Sequence, residues 1–204
     1  MSSNRLYIPP QAQSYQKGNS DKKRTIVIIT NPLHKDILET IKSFSDHQKE
    51  IDVKYVEFDE LTKVLDVIVN AANIDKSFII TDANNNYIEL QTNINGMSHR
   101  EKCKGIWAFP NNHNHGDVNE FMDKITLCTN NVIKKIDALI KQNEQEDQII
   151  IPANKKGIAK YYALMALQQD PTHSMKDAID KGYFDHNSAW YQEFENWINN
   201  ILND

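Results

Sequence analysis

Thr25-Ile26-Val27-Ile28-Ile29-Thr30-Asn31-Pro32 is the stretch on which the fold turns. Four β-branched aliphatic residues follow one another without a polar interruption. That run is long enough for a strand and has no solvent face, which is the pattern of a strand covered on both sides inside a parallel sheet. It stops at Asn31-Pro32. Proline fits the first position of a helix, where its missing N–H has no partner to lose. Ile37, Leu38, Ile41 and Phe44 then fall at helical spacing and predict a single helix packed back on the strand.

The same transition recurs three times. Phe78–Ile80 runs into Thr81-Asp82-Ala83-Asn84-Asn85-Asn86. Ile106–Phe109 runs into Pro110-Asn111-Asn112-His113-Asn114-His115-Gly116-Asp117, and Ile149–Ile151 into Pro152-Ala153-Asn154-Lys155-Lys156-Gly157. Between these, Val53–Phe58 alternates as a second strand, residues 61–72 carry helical periodicity, and Tyr87–Leu90 reads as a short hairpin arm. Asp117 suits the cap of a long helix whose apolar face runs Val118, Phe121, Met122, Ile125, Cys128, Val132, Ile136, Leu139 and Ile140. From Ile158 the chain is helical, and Trp190, Phe194, Trp197, Ile198 and Ile201 share its last apolar face. The alternation predicts an α/β protein, a three-layer α/β/α sandwich with a mostly parallel sheet of Rossmann-like type. Residues 1–23 lack any period and are expected to form a flexible leader; residues 24–204 are expected to form one domain with a helical C-terminal section.

Composition removes several functions. A net charge of -5 over 204 residues does not suit phosphate neutralisation, so no nucleic-acid partner is expected. No apolar run reaches transmembrane length and no cleavable signal pattern opens the chain. The expectation is no membrane insertion and a cytoplasmic protein, or one delivered into a host cell without a cleavable signal peptide. Cys103 and Cys128 do not make a disulfide scaffold. With 6 glycines, and neither a Walker loop nor G-x-G-x-x-G, dinucleotide and triphosphate sites lose weight, and no cofactor is expected. His113 and His115 lie beside Asp117, with Cys103 a further donor, but they lack the spacing of a three-ligand site, so no metal is expected.

In a right-handed, parallel arrangement the asparagine-rich turns meet at the carboxyl edge of the sheet, where open α/β folds bind ligands. Amide side chains both donate and accept without charge, which suits ribose and base edges better than a bare phosphate clamp. The candidate ligand residues are Asn31, Thr81, Asn84, Asn85, Gly96, Asn111, Asn112 and Asn154, with Trp107 and Phe109 as an adenine-stacking face. Lys156, Gly157 and Ile158 open a helix whose N–H groups would receive a diphosphate. Asp82 ends a buried strand among asparagines and is the candidate catalytic carboxylate. A pure interaction role for the aromatic C-terminal helices is the competing expectation.

Two stretches resemble known families. Asp59-Glu60-Leu61-Thr62-Lys63-Val64-Leu65-Asp66-Val67-Ile68-Val69-Asn70-Ala71-Ala72-Asn73 is similar to the macrodomain segment that ends in a V-N-A-A-N strand, and Gly105-Ile106-Trp107-Ala108-Phe109-Pro110 is similar to the strand before that family's second ligand loop. Residues 61–72 thus stand open between helix and macrodomain strand. Residues 77–167 also resemble small phage and bacterial α/β proteins that close with an I-P-x-x-G-I-G-x-G-L-A loop. The likeness to non-canonical macrodomains among bacterial effectors implies a macrodomain-like fold that binds ADP-ribose and hydrolyses mono-ADP-ribose from a modified protein. The alternative it leaves is a non-catalytic binder or sensor of a nucleotide-derived small molecule.

Overall fold

The computed structural model describes residues 24–61, 74–83, 87–96, 100–127, 130–145 and 156–203. In chain order the elements are β1 (Arg24–Ile29), α1 (Pro32–Leu38), α2 (Lys42–His47), β2 (Ile51–Tyr55), β3 (Ile74–Asp82), α3 (Tyr87–Asn95) and β4 (Cys103–Phe109). These are followed by α4 (Val118–Ile125), α5 (Asn130–Gln145), α6 (Lys156–Ala166), α7 (Met175–Asp180) and α8 (Ala189–Asn203). The strands form one sheet in the order β2-β1-β3-β4, and every pairing is parallel. The fold is α/β, with helices packed about that sheet, as the strand-to-helix alternation predicts.

Alternation along the strands divides the core. Val27, Ile29, Phe78, Ile80, Trp107 and Phe109 face the larger cluster, which is filled from α1, α2, α4, α6, α7 and α8. Ile26, Ile28 and Ile79 face the other side, with Val56, Leu61 and Ile74. Ile26 to Ile29 are each at most 2% exposed, so neither side of β1 meets water. Burying each such side chain is worth about 1.5–3 kcal/mol before chain entropy is counted. At the sheet's amino edge, Lys76 Nζ donates to the last carbonyls of α8, Ile201 O and Leu202 O, at 3.2 Å each. This satisfies acceptors that a helix end leaves open.

Several boundaries differ from the sequence expectation. The helix expected from Ile37 through Phe44 is two, α1 and α2, because Glu39, Thr40 and Ile41 close the first with bonds to Lys35 O, Ile37 O and Leu38 O. Tyr87–Leu90 is the first part of α3 and not a hairpin arm. Parallel β3 and β4 need a crossover, and a four-residue alternation is too short to distinguish strand from helix. The long helix after Asp117 is also broken. Thr126 bridges antiparallel to Phe184, Leu127 N donates to Tyr183 O, and Asp185 N to Ile125 O, so the segment at 183–185 takes over the helix end. The break shifts the phase: Ile133 and Ile136 are buried at 8% and 3%, whereas Val132 and Leu139 are exposed at 36% and 56%. β2 begins and ends earlier than Val53–Phe58, and residues 58–61 are helical. The expected leader, the rest of residues 61–72 and the Ile149–Ile151 strand lie outside the described residues.

Candidate functional site

The order β2-β1-β3-β4 has a reversal in it. From β1 the chain steps to β2 on one side and then crosses back to β3 on the other. The reversal falls between β1 and β3, the switch point at whose carboxyl edge open α/β sheets commonly bind ligands. Thr30-Asn31 stands at one lip and Thr81-Asp82 at the other. Thr30 Oγ1 donates to Thr81 Oγ1 at 3.1 Å, and Thr30 N to Ile80 O at 3.2 Å, which pins the two lips together.

Asp82 is the hub of this edge. Its Oδ1 accepts from Val118 N, the first amide of α4, at 2.9 Å and from His34 Nε2 of α1 at 3.1 Å. Its Oδ2 meets Asn31 Nδ2 at 3.5 Å, the one contact of that oxygen among the described residues. Burial pushes the Asp82 carboxyl up, but the attraction and hydrogen bond of His34, the Val118 amide and Asn31 outweigh it and leave the group below its ordinary range. Asp82 is thus an ionised acceptor held by three donors from two helices and the cap of one of them. Asn31 shares in the work: its Oδ1 caps α1 by accepting from Leu33 N at 3.1 Å while Nδ2 turns to Asp82. Pro32 follows as the first helical residue.

His34 completes the site without a signal in the sequence. It occupies the first turn of α1, is fully buried, and stacks on Phe109 with ring centroids 4.9 Å apart. A histidine three residues past an asparagine turn has no distinguishing sequence pattern, so nothing in the primary structure marks it.

The loop after β4 holds itself. Asn111 Oδ1 accepts from Asn114 N at 2.9 Å and His113 N at 3.3 Å, the Asx-turn use of that side chain. Asn112 takes a positive φ of 64°, and its Oδ1 accepts from Ala108 N at 2.6 Å. Both carbonyl oxygens expected to read a ligand are therefore bonded to the loop backbone, leaving their NH2 groups as the donors. Trp107 and Phe109, expected as a stacking face, are 1% and 0% exposed. Their rings meet Phe194, with centroids at 5.0 and 5.1 Å, and belong to the core. Gly96 follows α3, on the return towards the start of β4, and is not brought to Asp82.

At α6, Lys156 pairs with Glu144 at 2.8 Å on the surface. Gly157 lies against Asn119 near the start of α4, where an added methyl would overlap the Asn119 amide oxygen. That amide is fixed, because Nδ2 donates to Asp117 Oδ2 at 3.2 Å. Asp117 in turn caps α4 by accepting from Asn119 N and Glu120 N. Ile158 lies within α6. Gly157→Ala is accordingly expected to destabilise the protein by about 1–3 kcal/mol, the usual cost of overpacking. Urea unfolding reads this, and an unchanged midpoint would mean that Asn119 swings aside freely. Asn84, Asn85 and Asn154 lie outside the described residues, as does the segment ending Asn70-Ala71-Ala72-Asn73.

Among the described residues no group of three or more His, Cys, Asp or Glu side chains is placed to hold a metal ion. His113 instead pairs with Glu193 at 3.1 Å on the surface. Nor is any helix among the described residues long and apolar enough to cross a membrane.

The described strands form an open, all-parallel α/β sheet whose order reverses between β1 and β3. The chain belongs to the family described as "Protein of unknown function (DUF3226)", whose model matches residues 17–203. No curated protein and no solved structure is significantly similar to it.

Proposed function

We propose that the crevice between β1 and β3 binds ADP-ribose or a related nucleotide by its hydroxyl-bearing sugar. The observation that carries this reading is Asp82, a carboxylate ionised and oriented at the reversal of strand order, with the Asn31 amide beside it. A charged acceptor next to an amide suits a ribose diol, which donates two hydrogen bonds and carries no charge. The preference for ADP-ribose among nucleotides comes from the macrodomain-like stretches of the sequence. Binding is favoured over proton abstraction, because a carboxylate held below its ordinary range is a weak base near neutral pH.

The same ionised state favours one second reading, removal of ADP-ribose from a modified protein. A carboxylate that stays charged stabilises the oxocarbenium-like centre at the ribose C1 without moving a proton. Calorimetric titration tests the two readings together. Wild type should take up ADP-ribose more tightly than ATP, and Asp82→Asn should weaken that uptake at least about tenfold, the scale of a lost charge-assisted bond. If Asp82→Asn instead keeps its affinity while turnover on a mono-ADP-ribosylated protein drops about 100-fold or more, the hydrolase reading prevails. No heat with ADP-ribose, or equal heat with ATP, would remove the ligand assignment.

A further inference from the structure

We infer that His34 is the positioning residue of Asp82: from the first turn of α1 it clamps one carboxylate oxygen so that the other is presented to ligand at the β1/β3 crevice. The inference rests on the ligand reading above and assigns a control element to that site.

The geometry divides the carboxylate unequally. Oδ1 receives two donors from two different helices, Val118 N at 2.9 Å and His34 Nε2 at 3.1 Å, whereas Oδ2 has only the 3.5 Å contact of Asn31 Nδ2 among the described residues. An ionised carboxylate only accepts, so the His34 proton in this bond lies on Nε2. Two donors from fixed helices set both the position of Oδ1 and the rotation of the carboxylate plane. Oδ2 is then the oxygen with capacity for further hydrogen bonds.

Packing alone does not account for a histidine here. The ring is fully buried and stacked on Phe109, and its second nitrogen, Nδ1, is buried without a hydrogen-bond partner. A buried unpaired polar atom costs stability, and leucine or phenylalanine would fill the same volume without one. What an apolar side chain would not supply is the Nε2–H donor. The compensating gain must therefore come from the bond to Asp82.

Three measurements test this. In wild type, the Asp82 carboxyl carbon followed by carbon-13 NMR should titrate below the ordinary range, and the hydrogen-bonded Nε2–H resonance of His34 should move over the same pH interval as the charge-assisted bond weakens. His34→Leu should move the Asp82 titration upward and weaken ADP-ribose binding at least about tenfold. His34→Gln, which keeps an N–H donor on a side chain of similar length, should retain most of the affinity. A purely structural histidine would lower the melting temperature in both variants without moving the Asp82 titration, and that result overturns the assignment. So does a wild-type Nε2–H signal whose position stays constant while Asp82 protonates, a readout that stands even if His34→Leu does not fold. Absence of ADP-ribose uptake in wild type removes the ligand reading only, because the coupling of His34 to Asp82 is read without ligand.

Discussion

Asp82→Ala is expected to lower unfolding free energy by about 2–5 kcal/mol, since each buried donor left without its acceptor costs about 1–3 kcal/mol. Two buried donors, Val118 N and His34 Nε2, lose the same acceptor at once, and Asn31 Nδ2 loses its long contact. The end of β3, the first turn of α1 and the start of α4 are thereby released from one another. Asp82→Asn should cost far less, since the amide oxygen still accepts from Val118 N and His34. Chemical denaturation of the three proteins checks this ordering, and equal midpoints for alanine and asparagine would reject the hub role.

The pH dependence follows with a definite sign. The folded carboxyl of Asp82 lies below its ordinary range, whereas the unfolded chain titrates at about 3.9. The stabilisation is complete above the unfolded value and is lost as pH falls through the lower folded one. Asp36 carries the opposite tendency, because burial raises its carboxyl despite the Tyr162 hydrogen bond. Wild type and Asp82→Asn share Asp36, so the difference between their acid unfolding curves isolates Asp82. A difference that grows on acidification below pH of about 4 would contradict the assignment.

Trp107→Ala should be comparably severe, with an expected loss of about 3–5 kcal/mol. Trp107 is 1% exposed on β4, and its ring meets Phe194 at 5.0 Å and Trp197 at 5.6 Å between centroids. Removing it opens a void between the sheet and α8 that rigid neighbours on both sides cannot fill. Trp107→Phe should be much milder, because it keeps an aromatic contact and deletes an indole N–H that has no partner. Thermal unfolding distinguishes the core role from a ligand-stacking one. A stacking tryptophan would tolerate alanine in the absence of ligand, and a small shift in melting temperature for Trp107→Ala would refute the core role.

What was legible in the sequence was set by short-range physics. The unbroken, β-branched Ile26–Ile29 run reads as a strand covered on both faces, and Asn31-Pro32 as its passage into a helix, because these preferences act within a few residues. The same holds for Asp117, whose capping of α4 needs only the amides of Asn119 and Glu120, two and three residues on. The α8 face at Phe194, Ile198 and Ile201 was likewise readable from its helical period. Tertiary structure decided what depends on partners distant in the chain. It broke the helix after Ile125 by offering residues 183–185 as hydrogen-bond partners, and so exposed Val132 and Leu139 and buried Ile133, while Ile136 kept its expected place in the core. It placed Trp107 and Phe109 in the core, since the alternation of β4 says which residues share a face but not that α8 covers it. It made Asp82, expected only as a catalytic carboxylate at a strand end, the acceptor for α1, α4 and Asn31, with His34 brought to it from 48 positions earlier in the chain. Local pattern fixes where an element starts and which way its side chains alternate; the protonation state of a carboxylate depends on which distant dipoles and charges are brought against it, and those are specified only when the chain has folded.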